Sequence, residues 1–222
     1  MLGCFLLGLV PLSFGGRLIQ ALVDWRYTQP TLHGKRVILR EICSKDVKDL
    51  FEIYGCAETM QFASDPPFSS LKTVFQMLKS VKHLKHTKES FEWGVVGTVS
   101  DKLIGTCELH SFSKSRGSCK VGCLLNRRFW GQGIMFEALG ILFSHARTLS
   151  IKKVSADIDA QNTRSQALFN RLGFKKDSEG QHGLLFKKSS NKMLNSFPLV
   201  TGTQTLRHNS EAAQRLCPLA QR

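Results

Sequence analysis

The chain has 222 residues, 42% of them hydrophobic, enough for one medium domain with a real core and appendages. A formal net charge of +14 points to an anionic partner (a phosphate-bearing cofactor, nucleic acid or the ribosome surface) or to no more than a basic, soluble surface. The seven cysteines, at 4, 43, 56, 107, 119, 123 and 217, contain no Cys-x-x-Cys pair and no Cys/His cluster at zinc spacing. That excludes a zinc module. It leaves reduced, mostly buried thiols, a cytosolic setting and no metal as the expectation.

Residues 1–29 read as an N-terminal extension. Its apolar run 1–14 is too short to span a bilayer and lacks the charged start and cleavage site of a signal peptide, so no membrane association is expected. Alternation over residues 35–40 predicts a first strand. Ser44 as N-cap, then Val47, Leu50, Phe51 and Tyr54 at i, i+3, i+4 and i+7, predicts a first helix. Asp65-Pro66-Pro67 breaks the chain, and Ser69 or Ser70 caps a second helix carrying Val74, Leu78 and Val81.

From residue 91 the period changes. Strands are predicted over 91–99, 103–112 and 119–125, joined at Asp101-Lys102 and by a polar turn at 113–118, as an antiparallel meander. A helix over about 133–149 follows, apolar on two adjoining stripes and therefore deeply packed. Val154, Ala156 and Ile158 alternate as a half-buried strand. Asn162 caps a last helix with Leu168 and Leu172 inward, Gly173 ends it as a left-handed residue, and a final strand covers 183–188. The polar, aperiodic stretch 189–222 reads as a loose tail.

Between the last meander strand and the packed helix lies Arg128-Phe129-Trp130-Gly131-Gln132-Gly133. Two glycines one residue apart let backbone N–H groups approach a ligand closely. A helix opening there adds unpaired amides and the positive end of its dipole, which together suit a phosphate. A tight strand-to-helix turn explains the same glycines, so the placement carries more than the motif.

Residues 121–174 resemble the core of the GNAT superfamily of acetyl-CoA-dependent N-acetyltransferases, in the RimJ/RimL-like branch that acetylates ribosomal proteins. The pieces that carry the resemblance are Val121-Gly122, the glycine loop, Glu137-Ala138, Asn162-Thr163-Arg164-Ser165 and Leu172-Gly173-Phe174, in order. Leu32-His33-Gly34-Lys35-Arg36-Val37, Leu39-Arg40 and Asp46 resemble the branch's opening, so the likeness covers about residues 30–188. It implies an α/β (α+β) fold: a mixed, mostly antiparallel sheet flanked by helices, with a splayed parallel strand pair at the cofactor site. It also implies that acetyl-CoA is held by Arg128, Phe129, Trp130, Gly131, Gln132, Gly133 and Ile134 at its pyrophosphate. Leu124 and Leu125 would pair with the pantetheine arm, and Asn162 and Phe169 would border it.

Many GNAT enzymes carry a tyrosine seven residues after the motif asparagine. Here that position is Phe169, which cannot donate a proton. Ser165 is the substitute acid that the resemblance offers, against a plain first-turn serine. Glu108 is the candidate base, sharing a strand face with Thr106 and His110; His110 is the weaker alternative, and an exposed strand glutamate is the bland reading. Glu137 reads as compensation of the helix dipole rather than as a catalyst. The acceptor implied is a primary amine, foremost the N-terminus of a ribosomal or other protein, received near Phe62, Pro66, Pro67 and Phe68. A catalytically weak acetyl-CoA-binding module and a small-molecule acetyltransferase are the alternatives. Specific nucleic-acid binding is not expected, because no known motif accompanies the charge.

Overall fold

A computed structural model describes residues 29–179 and 183–189. Most of the expected N-terminal extension, with its apolar run, and most of the expected C-terminal tail lie outside the described residues. β1 (Leu32–His33) and β2 (Val37–Glu41) form a hairpin, and a 3-10 turn leads into α1 (Val47–Tyr54), a short α2 (Ala57–Met60) and α3 (Leu71–His86). The meander is β3 (Ser90–Gly97), β4 (Leu103–His110) and β5 (Ser118–Leu125). Then come α4 (Ile134–Thr148), β6 (Lys153–Ile158), α5 (Thr163–Arg171), β7 (Lys175–Glu179) and β8 (Leu184–Ser189). The eight strands make one sheet in the order β1-β2-β3-β4-β5-β6-β8-β7. Every neighbouring pair is antiparallel except β5 and β6, which are parallel because α4 crosses between them.

The sheet separates two cores. On one face, Val37, Leu39, Cys107, Leu109 and Val121 pack against α4 and α5. On the other, Leu50, Ile53, Val74 and Leu78 from α1 and α3 cover Val96 and Leu103. Helix α4 is buried nearly all round, from Ile134 to Ala146. Each fully buried side chain such as Leu139 or Leu142 contributes about 2 kcal/mol, so packing holds this helix more than propensity does.

Several expectations need adjusting. β3 stops at Gly97 rather than 99, because Gly97 N–H bonds to Lys102 O (3.0 Å) and closes the hairpin. β4 stops at His110, since Ser111 is left-handed (φ 50°). The entry to α1 is set by buried Asp46 and not by Ser44: its carboxylate accepts Cys43 N–H (2.8 Å) and pairs with Arg40 (2.7 Å). Helix α5 turns Leu172 inward as expected and buries Phe169 with it, at 1% and 2% exposure, while Leu168 is half-buried, packed on the same core and also lining the cleft. Its end is a Schellman motif. Gly173 (φ 83°) donates to Asn170 O, Phe174 donates to Phe169 O, and the rings of Phe169 and Phe174 meet edge-on at 5.0 Å. β1, α2 and β7 were not foreseen; β7 is an edge strand of charged and polar residues with no apolar alternation to reveal it.

Candidate active site

Strands β5 and β6 are paired only over Ser118–Lys120 with Lys153–Ser155. Beyond that, β5 stays with β4 as far as Leu125, while β6 stays with β8 as far as Ile158. The two strands therefore part from Val121 onward. Lys120 Nζ and Asp157 Oδ2 (2.6 Å) form an ion pair at the fork. The gap opens into a cleft of about 410 Å³. Its walls are Cys123, Leu124 and Leu125 of β5, the loop before α4, the first turn of α4, and Asn162, Arg164, Ser165 and Leu168 of α5. Glu58, Thr59 and Phe62, at and just after α2, close one side.

The loop is held from behind. Asn126 Oδ1 accepts Arg128 N–H (3.1 Å), Trp130 Nε1 donates to Leu125 O (2.8 Å), and Gln132 Nε2 donates to Arg128 O (2.9 Å). The Arg36 guanidinium donates to Gln132 O (2.8 Å) and Gly133 O (3.1 Å). In a trans peptide the N–H points opposite to the preceding C=O. With those carbonyls turned to Arg36, the amides of Gly133 and Ile134 point away from it, and both residues line the cleft. Gly131 (φ 73°) and Gly133 (φ 71°) are left-handed, and a side chain at Gly131 would meet nothing within 4 Å. The loop is thus an open amide cradle at a helix N-terminus, which fits a phosphate group on its geometry.

Glu137 fastens this arrangement. Its Oε1 accepts the amides of Lys35 (2.7 Å) and Arg36 (2.8 Å), and its Oε2 accepts Arg36 Nε (2.8 Å). Burial pushes the carboxyl up, but the hydrogen bonds from Arg36 and Lys35 outweigh it and hold the pKa below the ordinary value. Beyond the dipole compensation expected of it, Glu137 latches the β1–β2 turn to the loop.

On the α1/α3 face of the sheet lies a cluster of polar groups. Glu92 and Glu108 stand directly opposite each other on β3 and β4. Tyr54 Oη donates to Glu92 Oε1 (2.9 Å) and also meets Thr106 Oγ1 (2.9 Å). Ser90 Oγ donates to Glu108 Oε2 (3.0 Å), and His110 Nε2 lies 3.9 Å from Glu108 Oε1. Burial, reinforced by the charge of Glu108, pushes the Glu92 carboxyl up to about 7. Burial likewise lifts the Tyr54 phenol well above its usual range. Like charges directly opposite across strands are destabilising, so this pair is a cost the fold carries.

The sequence of the Acetyltransferase (GNAT) domain matches residues 36–175. The chain belongs to this acetyltransferase family. It is 25% identical over 170 residues to the uncharacterized N-acetyltransferase p20 of Bacillus licheniformis, covering 75% of this chain and 93% of that protein. It is 30% identical over 98 residues to the ribosomal protein uS5-alanine N-acetyltransferase of Escherichia coli, covering 43% and 50%. Mycobacterium smegmatis RimJ, solved in complex with CoA-disulfide, has the same fold, with a TM-score of 0.65 at 15% identity over 75% and 90% of the two chains.

Within this GNAT domain the residues expected at the site fall into four groups. Leu124, Leu125, Phe129, Trp130, Gly131, Gly133, Ile134, Asn162 and Ser165 line the cleft together. Asn162 Oδ1 also caps α5 by accepting Ser165 N–H (3.0 Å), so one residue serves fold and cleft. Arg128 and Gln132 lie outside the cleft lining; Arg128 is exposed, and Gln132 bonds back to the Arg128 carbonyl. Phe169 lies in the core against Phe174 and is not in the cleft lining, while its neighbour Leu168 packs on the same core and also lines the cleft.

Glu108 is not in the cleft lining but stands over Gly122 of β5, where an added Cβ would come 2.7 Å from Glu108 Oε1. Unforeseen in the sequence were Glu92, Tyr54 and the two arginines of α5. Arg164 stacks on Trp130 at 3.6 Å from the ring centre and Arg171 on Phe136 at 4.4 Å, and both line the cleft. Only the motif Asn162-Thr163-Arg164-Ser165 carried a signal for one of them.

Proposed function

We propose that this acetyltransferase moves an acetyl group from acetyl-CoA to a primary amine, foremost a protein N-terminal amine, by direct attack in a ternary complex. The observation that supports it most is the parting of β5 from β6 into a cleft that ends on an amide cradle. Acetyl-CoA supplies an activated acyl group on a thioester. The amides of Gly133 and Ile134 hold its pyrophosphate, and Arg164 and Arg171 add positive charge on the facing wall. The backbone of Leu124 and Leu125, free of β6, pairs with the extended arm.

Glu108 takes the proton that the attacking amine sheds as the C–N bond forms. Ser165 returns a proton to the sulfur as the C–S bond breaks, since Phe169 offers none. Cys123 lines the cleft, but burial pushes its thiol up to about 12, which favours direct transfer over an acetyl-cysteine. The relatives that act on ribosomal proteins support a protein acceptor. Cys107 and Cys119 are buried and outside any disulfide among the described residues, which suits a reducing, cytoplasmic setting.

The test adds acetyl-CoA to a cell extract with and without the protein and searches for acetylated products by mass spectrometry. New N-terminal acetyl groups are expected, and with a purified acceptor Glu108→Gln lowers kcat by roughly 10²–10⁴-fold. An unchanged rate in that variant removes Glu108 from the mechanism. Acetyl-CoA binding without turnover on any amine establishes the binding-module reading, which the burial of Phe169 favours.

A further inference from the structure

Helix α3 covers the sheet with Val74 and Leu78 and turns a second face outward. On that face Leu71, Phe75, Lys79, Lys82 and His86 follow one another at steps of three or four residues, with Lys72 and His83 beside them, and all are exposed. The line runs about 22 Å along the helix. The helix contains no acidic residue. Lys85, at the edge of the buried face, pairs with Glu41 (2.7 Å). Lys72, Lys79 and Lys82 have no hydrogen bond or ion pair among the described residues. The apolar pair is as unusual as the charge. Leu71 and Phe75 are 42% and 49% exposed, and the only other large apolar side chain so exposed among the described residues is Val99, in a turn. One turn apart on one helix, Leu71 and Phe75 make a patch rather than scattered surface residues.

Charge decides against two occupants. A second copy would set lysines against lysines. The segments outside the described residues carry more bases than acids: Arg17 and Arg26 against Asp24 on one side, Lys192, Arg207, Arg215 and Arg222 against Glu211 on the other. The partner is therefore an anion from outside the chain, and an extended one, since the lysines run along the helix. Nucleic acid would use the lysines but not Leu71, and binding to a phosphate backbone favours arginine, of which the helix has none. An anionic lipid surface uses both properties: apolar side chains enter it, and lysines stay at the headgroups. The apolar run 1–14 is too short to span a bilayer but has the length of an interfacial segment. Gln29 donates to Glu92 O on β3, the strand α3 packs against, and residues 15–28 before it span up to about 45 Å when extended, so run and helix can meet one surface. One weak signal binds a membrane marginally, and two bind it stably.

We propose that the outward face of α3 docks the protein on an anionic lipid surface, with Leu71 and Phe75 entering the headgroup layer and Lys72, Lys79 and Lys82 pairing with anionic headgroups. The apolar run alone predicted no membrane association; joined to this face it is a second contact. No residue of α3 lines the cofactor cleft, so docking leaves the cleft lining untouched. The inference does not depend on the acetyl-transfer reading.

The experiment floats the full chain with vesicles of phosphatidylcholine alone and of phosphatidylcholine mixed two to one with phosphatidylglycerol. Binding is expected to the mixed vesicles and to fall with added salt. Combining Lys72→Glu, Lys79→Glu and Lys82→Glu is expected to weaken it by roughly 100-fold or more. Combining Leu71→Ser with Phe75→Ser is expected to weaken it by roughly 10-fold. The thermal midpoint is expected to hold in both variants, which separates lost docking from lost folding. Deleting residues 1–14 is expected to lower the affinity and keep its dependence on the lysines. No binding to the mixed vesicles, equal binding to both kinds, or binding indifferent to the lysine variant overturns the proposal. Single-stranded RNA or polyglutamate held through the same lysines, with vesicles left unbound, also overturns it and assigns the face to a soluble polyanion.

Discussion

Glu92→Gln isolates the cost of the carboxylate pair. In the folded protein the Glu92 carboxyl titrates near 7 rather than at its ordinary 4.5, chiefly through burial and then through Glu108. Below pH 4.5 the group is protonated in both folded and unfolded chains and carries no penalty. Between 4.5 and 7 only the unfolded chain ionises, so stability falls as pH rises; above 7 the full penalty stands. That rise in pKa corresponds to about 3 kcal/mol. Glutamine keeps an oxygen for the Tyr54 hydroxyl and removes the charge. The variant is therefore expected to match the wild type at pH 4 and to exceed it by up to about 3 kcal/mol at pH 8. In urea unfolding at about 2 kcal/mol/M, the midpoint difference at pH 8 is roughly 1.5 M. A difference that stays constant from pH 4 to 8 refutes the reasoning, because it shows a packing effect with no perturbed carboxyl behind it.

Phe169→Tyr restores the residue many family members carry, but it places a hydroxyl in the edge contact with Phe174. It is expected to lower stability by about 1–3 kcal/mol in a thermal melt with no gain in kcat; faster turnover contradicts the buried placement. Gly133→Ala and Gly131→Ala meet no clash closer than 3.6 Å, so each is expected to cost only the left-handed strain, about 1 kcal/mol, and to raise the KM for acetyl-CoA. Asparagine at the same positions is expected to recover part of that loss, and asparagine as damaging as alanine refutes the conformational argument. Glu137→Ala frees the β1–β2 turn from the cofactor loop and is expected to cost about 1–3 kcal/mol in chemical denaturation and to weaken acetyl-CoA binding in a titration. Retained affinity separates the latch from the cradle.

The parts of the fold that follow from local pattern were legible in the sequence. The alternation of Val154, Ala156 and Ile158, the stripes of α4 and the glycine at 173 each determine structure within a few residues of themselves. β7 was not legible, since Lys175, Lys176, Asp177 and Ser178 are exposed on an edge and nothing but pairing with β8 makes them a strand. The inward turn of Leu168 and Leu172 was legible, but not the deeper burial of the adjacent Phe169, which depends on its contact with Phe174. In the cleft, the glycine loop was visible as a motif. The direction of its amides depends on Arg36, about a hundred residues away in sequence, and no spacing rule connects them. Glu92 looked like any outward-facing strand residue, for only the fold brings Tyr54 and Glu108 to it.

The seam of three residue pairs between β5 and β6 has a consequence for how the protein is made. Strands β2 to β5 are joined to sequence neighbours by antiparallel pairing, and residues 30–125 can assemble as the chain emerges. Strands β6, β7 and β8 form a second leaf from residues 153–189, paired among themselves. Parallel pairing through a helical crossover is a longer loop closure than any hairpin and comes later. Docking of the second leaf is the step that creates the cleft. A growing chain that stops short of β6 has its glycine loop and no wall opposite it, and so acquires the cleft only as the second leaf arrives.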